Sequence, residues 1–156
     1  MSEPFNAVIE RCTVLPRLAA QNMACAIEEL VDAMVADGSL DSALRDLAVK
    51  TVAQRELSAS TAMGDGIAMP HGRLEQIDRL MCAVGLSQTG FVDAPSGGQK
   101  VDIVVLLLVP ALNGANHIHF MARLSVKLLD AALRERLLAA TDRQSVRQLL
   151  QFSAPA

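Results

Sequence analysis

The first third of the chain contains a clear amphipathic helical pattern. Apolar residues recur at intervals of three and four from Met23 to Val35, while Glu28, Glu29 and Asp32 fall on the opposite side. Asp37-Gly38 follows directly, and glycine is common just after the last turn of a helix. We therefore expect a helix with one buried face over this segment.

A second helix is predicted to begin near Ser39 or Asp41 and to run to about Glu56. Asp41 is a residue type that caps helix N-termini, because its carboxylate accepts hydrogen bonds from backbone N–H groups that have no partner within the helix. The apolar stripe of this helix consists of Leu44, Leu47, Ala48 and Val52.

The helical period ends after Glu56, and loop and strand patterns follow. Residues 58–66 are small, polar and glycine-bearing, which predicts a loop. Ile67–Met69 could form a short strand, and Pro70 should end its pairing because proline has no N–H to donate. His71 is therefore expected in an exposed, glycine-flanked loop at the edge of the sheet.

Two apolar runs predict further strands. Met81–Leu86 is the shorter one. Val101–Val109 is nearly continuous in apolar residues and rich in β-branched ones, which is typical of a central strand covered on both faces. Between them, residues 90–100 are expected to form a loop, with turn signals at Pro95 and Gly97-Gly98.

Helical patterns return in the last third of the chain. A turn at Asn113–Asn116 is expected to lead into one helix, and another is predicted over residues 131–140. Thr141 and Gln144 match a capping box that would begin a last short helix. The shared face of the helix after Asn116 consists of Ile118, Met121, Ala122, Ser125, Leu128 and Leu129.

The order of these elements predicts the fold class. Helices come first, short strands follow and helices close the chain, with no internal repeat and no long linker. Such an order indicates an α/β fold in which helices cover the faces of one sheet. The 156 residues fit a single domain, residues 1–156.

Composition narrows the classes of function. The formal net charge is -3 and the basic residues are scattered, which argues against a nucleic-acid partner. Four Phe and no Trp or Tyr leave few platforms for stacking bases or sugars, so a small ligand or a protein partner is favoured. Cys12, Cys25 and Cys82 include no Cys-x-x-Cys pair, which favours reduced thiols over a disulfide framework or a zinc site.

The chain carries no predicted targeting or membrane segment. Met1–Pro4 contains an acid and no basic leader, unlike a secretory signal. The longest apolar run, Ile103–Val109, is far too short to cross a bilayer. A cytoplasmic protein without membrane insertion is therefore expected.

His71 is the candidate nucleophile. Histidine is largely neutral near pH 7, and the neutral imidazole has a lone pair that can attack a phosphoryl group. Arg55, at the end of the second helix, can make forked hydrogen bonds to phosphate oxygens. Gly64, Gly66 and Gly72 would let backbone N–H groups approach the same oxygens.

One of two later histidines is expected to join His71. His117 and His119 are two residues apart, and side chains with that spacing on a helix point in different directions. We choose His117, because it lies in the first turn, where free N–H groups and the helix dipole favour an anion. Its expected role is to hydrogen-bond the phosphoryl group or to orient His71.

Several segments together resemble a family signature. Arg55-Glu56, Ser60-Thr61 and the run Gly64–Gly72 follow the pattern Arg-Glu, Ser-Thr and Gly-x-Gly-Ile-Ala-x-Pro-His-Gly. An apolar strand ending in Leu107–Pro110 and the sequence Asn116–His119 extend the match. Through these residues the chain resembles the fructose- and mannitol-type enzyme IIA components of the bacterial phosphotransferase system.

The resemblance implies a small mixed β-sheet flanked by helices, with a domain core of about residues 5–152, and phosphocarrier chemistry without a metal or organic cofactor. His71 would accept a phosphoryl group on Nε2 from an HPr-type phosphocarrier protein, with Arg55 and His117 as its companions. Such a protein is a phosphoryl carrier rather than a classical turnover enzyme. The His117-Ile118-His119 sequence is most similar to the nitrogen-regulatory branch, whose members bind target proteins according to their phosphorylation state.

Some positions depart from the family pattern, and others suggest a docking surface. Ala62 stands where glycine is common and is expected to stiffen the loop and slow phosphotransfer. Ala111–Ala115 differs from the usual polar turn. Met63, Met69 and Leu74 are apolar candidates for the surface that meets the donor.

Alternative functions remain open at this point. A sugar-specific enzyme IIA subunit, which passes phosphate to an enzyme IIB for fructose- or mannitol-type transport, would use the same residues. A family member that only binds partners is a further alternative. A metal-dependent hydrolase using His71, His117 and His119 belongs to another class, but a helical His-x-His pair diverges and is a poor chelator.

Overall fold

A computed structural model describes residues 4–93, 96–111 and 116–153. In the described part of the chain, no helix has both the length and the apolar character that a membrane span requires. The first three residues of the Met1–Pro4 segment, the predicted turn residue Pro95, residues 113–115 of the later turn and most of the Ala111–Ala115 departure lie outside the described residues. The elements are α1 (Phe5–Glu10), β1 (Thr13–Leu15), α2 (Met23–Ala36), a 3-10 turn (Ser42–Leu44), α3 (Arg45–Ser58), β2 (Ala62–Gly64), β3 (Ile67–Ala68), β4 (His71–Leu74), β5 (Met81–Asp93), β6 (Gln99–Pro110), α4 (Asn116–Leu128), α5 (Ala131–Ala139) and α6 (Arg143–Leu150).

The described strands form one mixed sheet between two helical layers. The order is β1-β5-β6-β3-β2, and β4 also pairs with β6. The long β5 and β6 are antiparallel, whereas β1 is parallel to β5, and β3 and β4 are parallel to β6. The prediction of a single α/β domain with a mixed sheet flanked by helices is thus confirmed.

The central strand β6 separates two hydrophobic cores. Its side chains alternate: Ile103, Val105, Leu107 and Val109 face the layer of α1, α4, α5 and α6. Val104, Leu106 and Leu108 face the layer of α2 and α3. The seven residues are at most 3% exposed, so the predicted strand covered on both faces is confirmed.

The predicted loop over residues 90–100 is wrong for most of its length. β5 continues to Asp93 and β6 begins at Gln99, and the two strands pair at both ends of this stretch. The pairing shifts between Leu86 and Phe91, where Gly90 has φ +70°, so a glycine bulge bends the strand without ending it. Phe91 is buried beyond the bulge.

The predicted loop over residues 58–66 contains a β-hairpin. β2 pairs with β3 in antiparallel fashion, and Ala62 lies in β2 rather than in a loop. Asp65 and Gly66 form the turn with φ 57° and 83°, and positive φ at both central residues is typical of Asp-Gly hairpin turns. An added Cβ at Gly66 would also collide with the side chain of Asp102.

The expectation that pairing ends at Pro70 is wrong. Ile67 pairs with Ile103 and His71 pairs with Leu107, so β3 and β4 hold the same register along β6 on either side of the break. Pro70 lacks a donor, but its carbonyl accepts from the N–H of Leu107 at 3.0 Å. The proline interrupts the ladder for two residues and leaves the strand direction unchanged.

Several helix details differ from their predictions. Asp41 caps the 3-10 turn through Ala43 N–H and not α3 itself, and Leu47 is 38% exposed instead of lying in the apolar stripe. The last helix begins one residue later than predicted, because Asp142 rather than Thr141 accepts from the N–H of Ser145, at 2.8 Å.

The buried face of α4 also differs from its prediction. Ile118 and Leu129, which were expected on this face, are exposed at 60% and 65%. Leu128 is buried as predicted, together with Phe120 and Leu124, which were not expected there. Phe120 stacks on Phe5 of α1, with 4.8 Å between ring centroids. The short α1, which had not been predicted, therefore packs against the buried side of α4.

A glycine allows α3 to pack directly against β4. A Cβ added at Gly72 would lie 3.0 Å from Thr51 Cγ2, 3.1 Å from Val52 Cγ2 and 3.2 Å from the backbone nitrogen of Val52. The helix backbone cannot retreat without disturbing buried Ala48 and Val52. This close approach brings the end of α3 beside His71.

We expect Gly72→Ala to lower the free energy of unfolding by about 1–3 kcal/mol, the usual cost of overpacking a close contact. Urea denaturation measures the change. The double variant with Thr51→Ser, which lacks Cγ2, should recover part of the loss because one of the three close contacts disappears. A loss below about 0.5 kcal/mol for Gly72→Ala, typical of unconstrained surface positions, would contradict tight packing here.

Candidate functional site

The predicted site residues line one surface cleft. Arg55 from α3, His71 from β4 and His117 from α4 all contribute to its wall, and its volume is about 340 Å³. The remaining lining residues are Thr51, Gly72, Arg73 and Val109. Three segments that are far apart in sequence thus place the two histidines and the arginine around one space.

His71 is oriented by a hydrogen bond to the backbone. Its Nδ1 lies 3.0 Å from the carbonyl oxygen of Met69. A carbonyl can only accept, so Nδ1 carries the proton and donates it. In the neutral ring the lone pair is therefore on Nε2, which makes Nε2 the nucleophilic atom.

His71 is half-buried, contrary to the prediction of an exposed loop. As the first residue of β4 it is in register with Leu107, whose side chain faces the α4 layer. Arg73, two residues further along the strand, points to the same side and also lines the cleft. Sequence reasoning missed Arg73, although the spacing of two would have indicated it once His71 was placed on a strand.

His117 lies in the first turn of α4 and faces His71. The two ring centroids are 6.4 Å apart and the ring planes are inclined by 36°. His119 is exposed, so only one of the two later histidines faces the cleft, as the helical spacing predicts. The separation leaves room for a phosphoryl group between the imidazoles.

Arg55 is exposed at the C-terminal end of α3. Its Nη1 donates to the carbonyl of Ala59 at 3.2 Å, which holds the side chain close to the helix end. Together with Arg73 it gives the cleft two guanidinium groups, which suit a doubly charged phosphoryl group.

A series of hydrogen bonds connects Glu56, the residue after Arg55, to His71. The buried carboxylate of Glu56 accepts from the backbone N–H of Thr61 at 2.8 Å and also from its hydroxyl. The carbonyl of Thr61 accepts from the N–H of Met69 at 3.4 Å. The carbonyl of Met69 then accepts from Nδ1 of His71. Glu56 therefore holds in place the backbone segment whose Met69 carbonyl accepts the hydrogen bond from the His71 ring.

A second buried carboxylate fixes the other end of the hairpin. The hydroxyl of Ser60 donates to Asp93 Oδ2 at 2.7 Å and accepts from the N–H of Ala62 at 3.1 Å. Asp93 is only 1% exposed and lies at the end of β5. In the Ser-Thr pair of the family signature, Ser60 is thus held by Asp93 and Thr61 by Glu56.

The glycines and the suggested docking residues are placed differently from the predictions. The described lining of the cleft includes Gly72 but neither Gly64 nor Gly66, which shape the hairpin instead. Met69 and Leu74 are buried at 1% and 2%, so their assignment to a docking surface is wrong. Met63 is 47% exposed and remains available on the surface.

The hydrolase alternative has no ligand set among the described residues. There, no three His, Cys, Asp or Glu side chains are grouped so that they could hold a metal ion. His119, the third histidine of that hypothesis, lies outside the cleft. The geometry suits an imidazole nucleophile flanked by cationic groups.

Known proteins share both the sequence pattern and the fold. Relatives include a fructose-specific EIIA component of Haloferax volcanii, 32% identical over 80% of each chain, and a nitrogen regulatory protein of Bradyrhizobium diazoefficiens, 29% identical over 94% of each chain. The crystal structure of nitrogen regulatory protein IIA-Ntr from Neisseria meningitidis matches with a TM-score of 0.76 and 24% identity over 95% of each chain. Residues 8–153 match the family described as phosphoenolpyruvate-dependent sugar phosphotransferase system, EIIA 2, and the chain belongs to that family.

Proposed function

We propose that this protein is a histidine phosphocarrier that accepts a phosphoryl group on Nε2 of His71 from an HPr-type donor and regulates target proteins through its phosphorylation state. The observation that carries the proposal is the Nδ1–H bond from His71 to the Met69 carbonyl, which leaves Nε2 as the free nucleophile. The cleft beside it contains Arg55, Arg73 and His117.

Transfer of the phosphoryl group depends mainly on the positioning of the reacting atoms and on compensation of the phosphoryl charge. A bond forms between phosphorus and Nε2 of His71 while the donor's bond to phosphorus breaks, in line with the attacking nitrogen. The guanidinium groups of Arg55 and Arg73 offset the charge on the phosphoryl oxygens. After transfer, Nδ1 keeps its proton and its bond to Met69, so the modified ring stays in place.

His117 is assigned to the phosphoryl oxygens. Its ring, 6.4 Å from that of His71, can donate a hydrogen bond across the space in which the phosphoryl group would lie. The first turn of α4, which begins at Asn116, adds backbone N–H groups and the positive end of the helix dipole. Both features stabilise the negative charge of the phosphorylated form.

Two observations bear on the choice between regulation and transport. The match to a nitrogen regulatory protein extends over 94% of each chain, which favours the regulatory role. The fructose-specific relative is 32% identical, and it supports a second candidate, a subunit that passes phosphate to an enzyme IIB of sugar transport. Incubation of the phosphorylated protein with the enzyme IIB proteins of the same organism separates the two, because only the transport subunit would lose its phosphate to one of them.

We expect His71→Ala to accept no phosphate, because Nε2 is lost. Intact-mass spectrometry at neutral or alkaline pH, after incubation with phosphoenolpyruvate, enzyme I and an HPr-type donor, should show one phosphate on the unaltered protein and none on the variant. His119→Ala is the matched control and should be labelled normally, since His119 is exposed and outside the cleft. Labelling of His71→Ala would refute the assignment of the nucleophile.

We expect Arg55→Ala to slow phosphorylation by about 10- to 100-fold, the effect of losing one charge-assisted hydrogen bond. Quenched-flow labelling with radioactive phosphoenolpyruvate measures the rate. The free energy of unfolding should change little, because Arg55 is exposed. An unchanged rate would show that Arg55 does not contact the phosphoryl group.

We expect Glu56→Gln to affect both stability and transfer. The amide has one acceptor oxygen where the carboxylate offers two to Thr61, so the free energy of unfolding should fall by about 1–3 kcal/mol. Phosphorylation should also slow, and ¹⁵N NMR of the His71 ring should show a smaller fraction of the Nδ1–H tautomer. Glu28→Gln, at an exposed position on α2, is the control. Reduced stability with unchanged ring nitrogen shifts would mean that Glu56 does not orient His71.

A further inference from the structure

Two of the three cysteines lie side by side in the sheet. Cys12 immediately precedes β1, and Cys82 is the second residue of β5. The parallel register that pairs Thr13 with Ala83 places the two cysteines next to each other. They are 1% and 3% exposed, whereas Cys25, on α2, is exposed.

The surroundings of the pair distinguish the two sulfurs. The Cys82 thiol donates a hydrogen bond to Cys12, which lowers the pKa of Cys12 despite its burial, and the Arg147 guanidinium lowers it further. The same hydrogen bond and burial raise the pKa of the Cys82 thiol. Arg147 is held in place by two bonds from its guanidinium to the Cys12 carbonyl, at 3.0 and 2.9 Å.

A surface cleft reaches Cys82, the neighbour of Cys12. Cys82 lines a cleft of about 370 Å³ together with Arg11, Ser39 and Met81. The described lining of this cleft shares no residue with that of the His71 cleft. A molecule as small as a hydroperoxide can therefore approach the Cys82 thiol, which adjoins that of Cys12, without entering the phosphoryl-transfer site.

The backbone geometry is compatible with a disulfide. Adjacent strands are about 4.7–4.9 Å apart. Disulfides join cysteines whose Cα atoms are about 4.4–6.8 Å apart. Cys12 precedes the first paired residue of β1, and its backbone is held beside Cys82 by the bond from its N–H to the Ile9 carbonyl, at 3.1 Å, and by the Arg147 bonds to its own carbonyl.

We propose that Cys12 and Cys82 form a reversible oxidation site, in which a hydroperoxide converts the two thiols into an intrachain disulfide. This inference does not depend on the phosphocarrier function.

The reaction proceeds in two balanced steps. The sulfur of Cys12 attacks one oxygen of the peroxide, so that an S–O bond forms, the O–O bond breaks and the leaving oxygen takes a proton. The sulfur of Cys82 then attacks the sulfenic sulfur of Cys12, so that the S–S bond forms and hydroxide leaves with the remaining thiol proton as water. With hydrogen peroxide, two thiols and one peroxide yield one disulfide and two waters. A dithiol reductant reverses the change.

The test uses the full chain and hydrogen peroxide. After oxidation, the protein is alkylated under denaturing conditions and examined by intact-mass spectrometry and non-reducing peptide mapping. We expect the loss of two hydrogens, a linked peptide pair containing Cys12 and Cys82, and alkylation of Cys25. Dithiothreitol should restore alkylation of all three thiols.

Cysteine variants provide the controls. Cys25→Ser should form the same disulfide, and this exposed replacement leaves both core thiols in place. Cys82→Ser, which keeps a hydrogen-bond donor beside Cys12 but no second thiol, should instead accumulate a sulfenic acid on Cys12, which a dione reagent traps. The proposal is overturned if Cys12 and Cys82 both remain alkylatable while Cys25 is oxidised, or if oxidation yields only disulfides between chains through Cys25. It is also overturned if Cys12 is oxidised to sulfinic acid while Cys82 stays a free thiol.

Discussion

The parallel pairing of β4 with β6 is the constraint on which the functional cleft depends. Because side chains alternate along a strand, this pairing turns His71 and Arg73 towards α4 and turns Gly72 and Leu74 towards α3. A shift of one residue would place an imidazole against Thr51, where a methyl group already has no room. The cleft therefore exists in one register only, and the close approach of α3 is what excludes the other.

The elements that could be predicted are those in which one pattern of apolar and polar residues extends over many positions. Residues 101–109 carry a nearly continuous apolar pattern and Met23–Val35 a long helical one, and both elements occur where expected. The four residues His71–Leu74 alternate between polar and buried positions too briefly to indicate a strand, and the proline before them suggests its end. α1 has only six residues, fewer than two helical turns, and its burial depends on contacts with Phe120 and the C-terminal Phe152.

Three side chains of the cleft were predicted from the sequence, but Arg73 and the residues that support the cleft were not. His71, Arg55 and His117 were expected to meet, and they line one cleft. Arg73 was not expected there, because its direction depends on an unpredicted strand. The role of Glu56 also escaped sequence reasoning, since a carboxylate near a helix end is ordinarily solvated, and only the tertiary structure buries it against Thr61.

The registers of three strand pairs together define a lateral row across the sheet. Cys82 is paired with Leu107, and Leu107 is paired with His71, with Cys12 next to Cys82 at the far end. One leucine side chain therefore separates the thiols from the imidazole. Since the two thiols are 1% and 3% exposed in the folded protein, the rate at which bulky reagents alkylate them measures local opening of β1 and β5, on the other side of β6 from His71. The protein thus contains its own chemical reporter of the rigidity of the sheet beside its functional strand, without any added label.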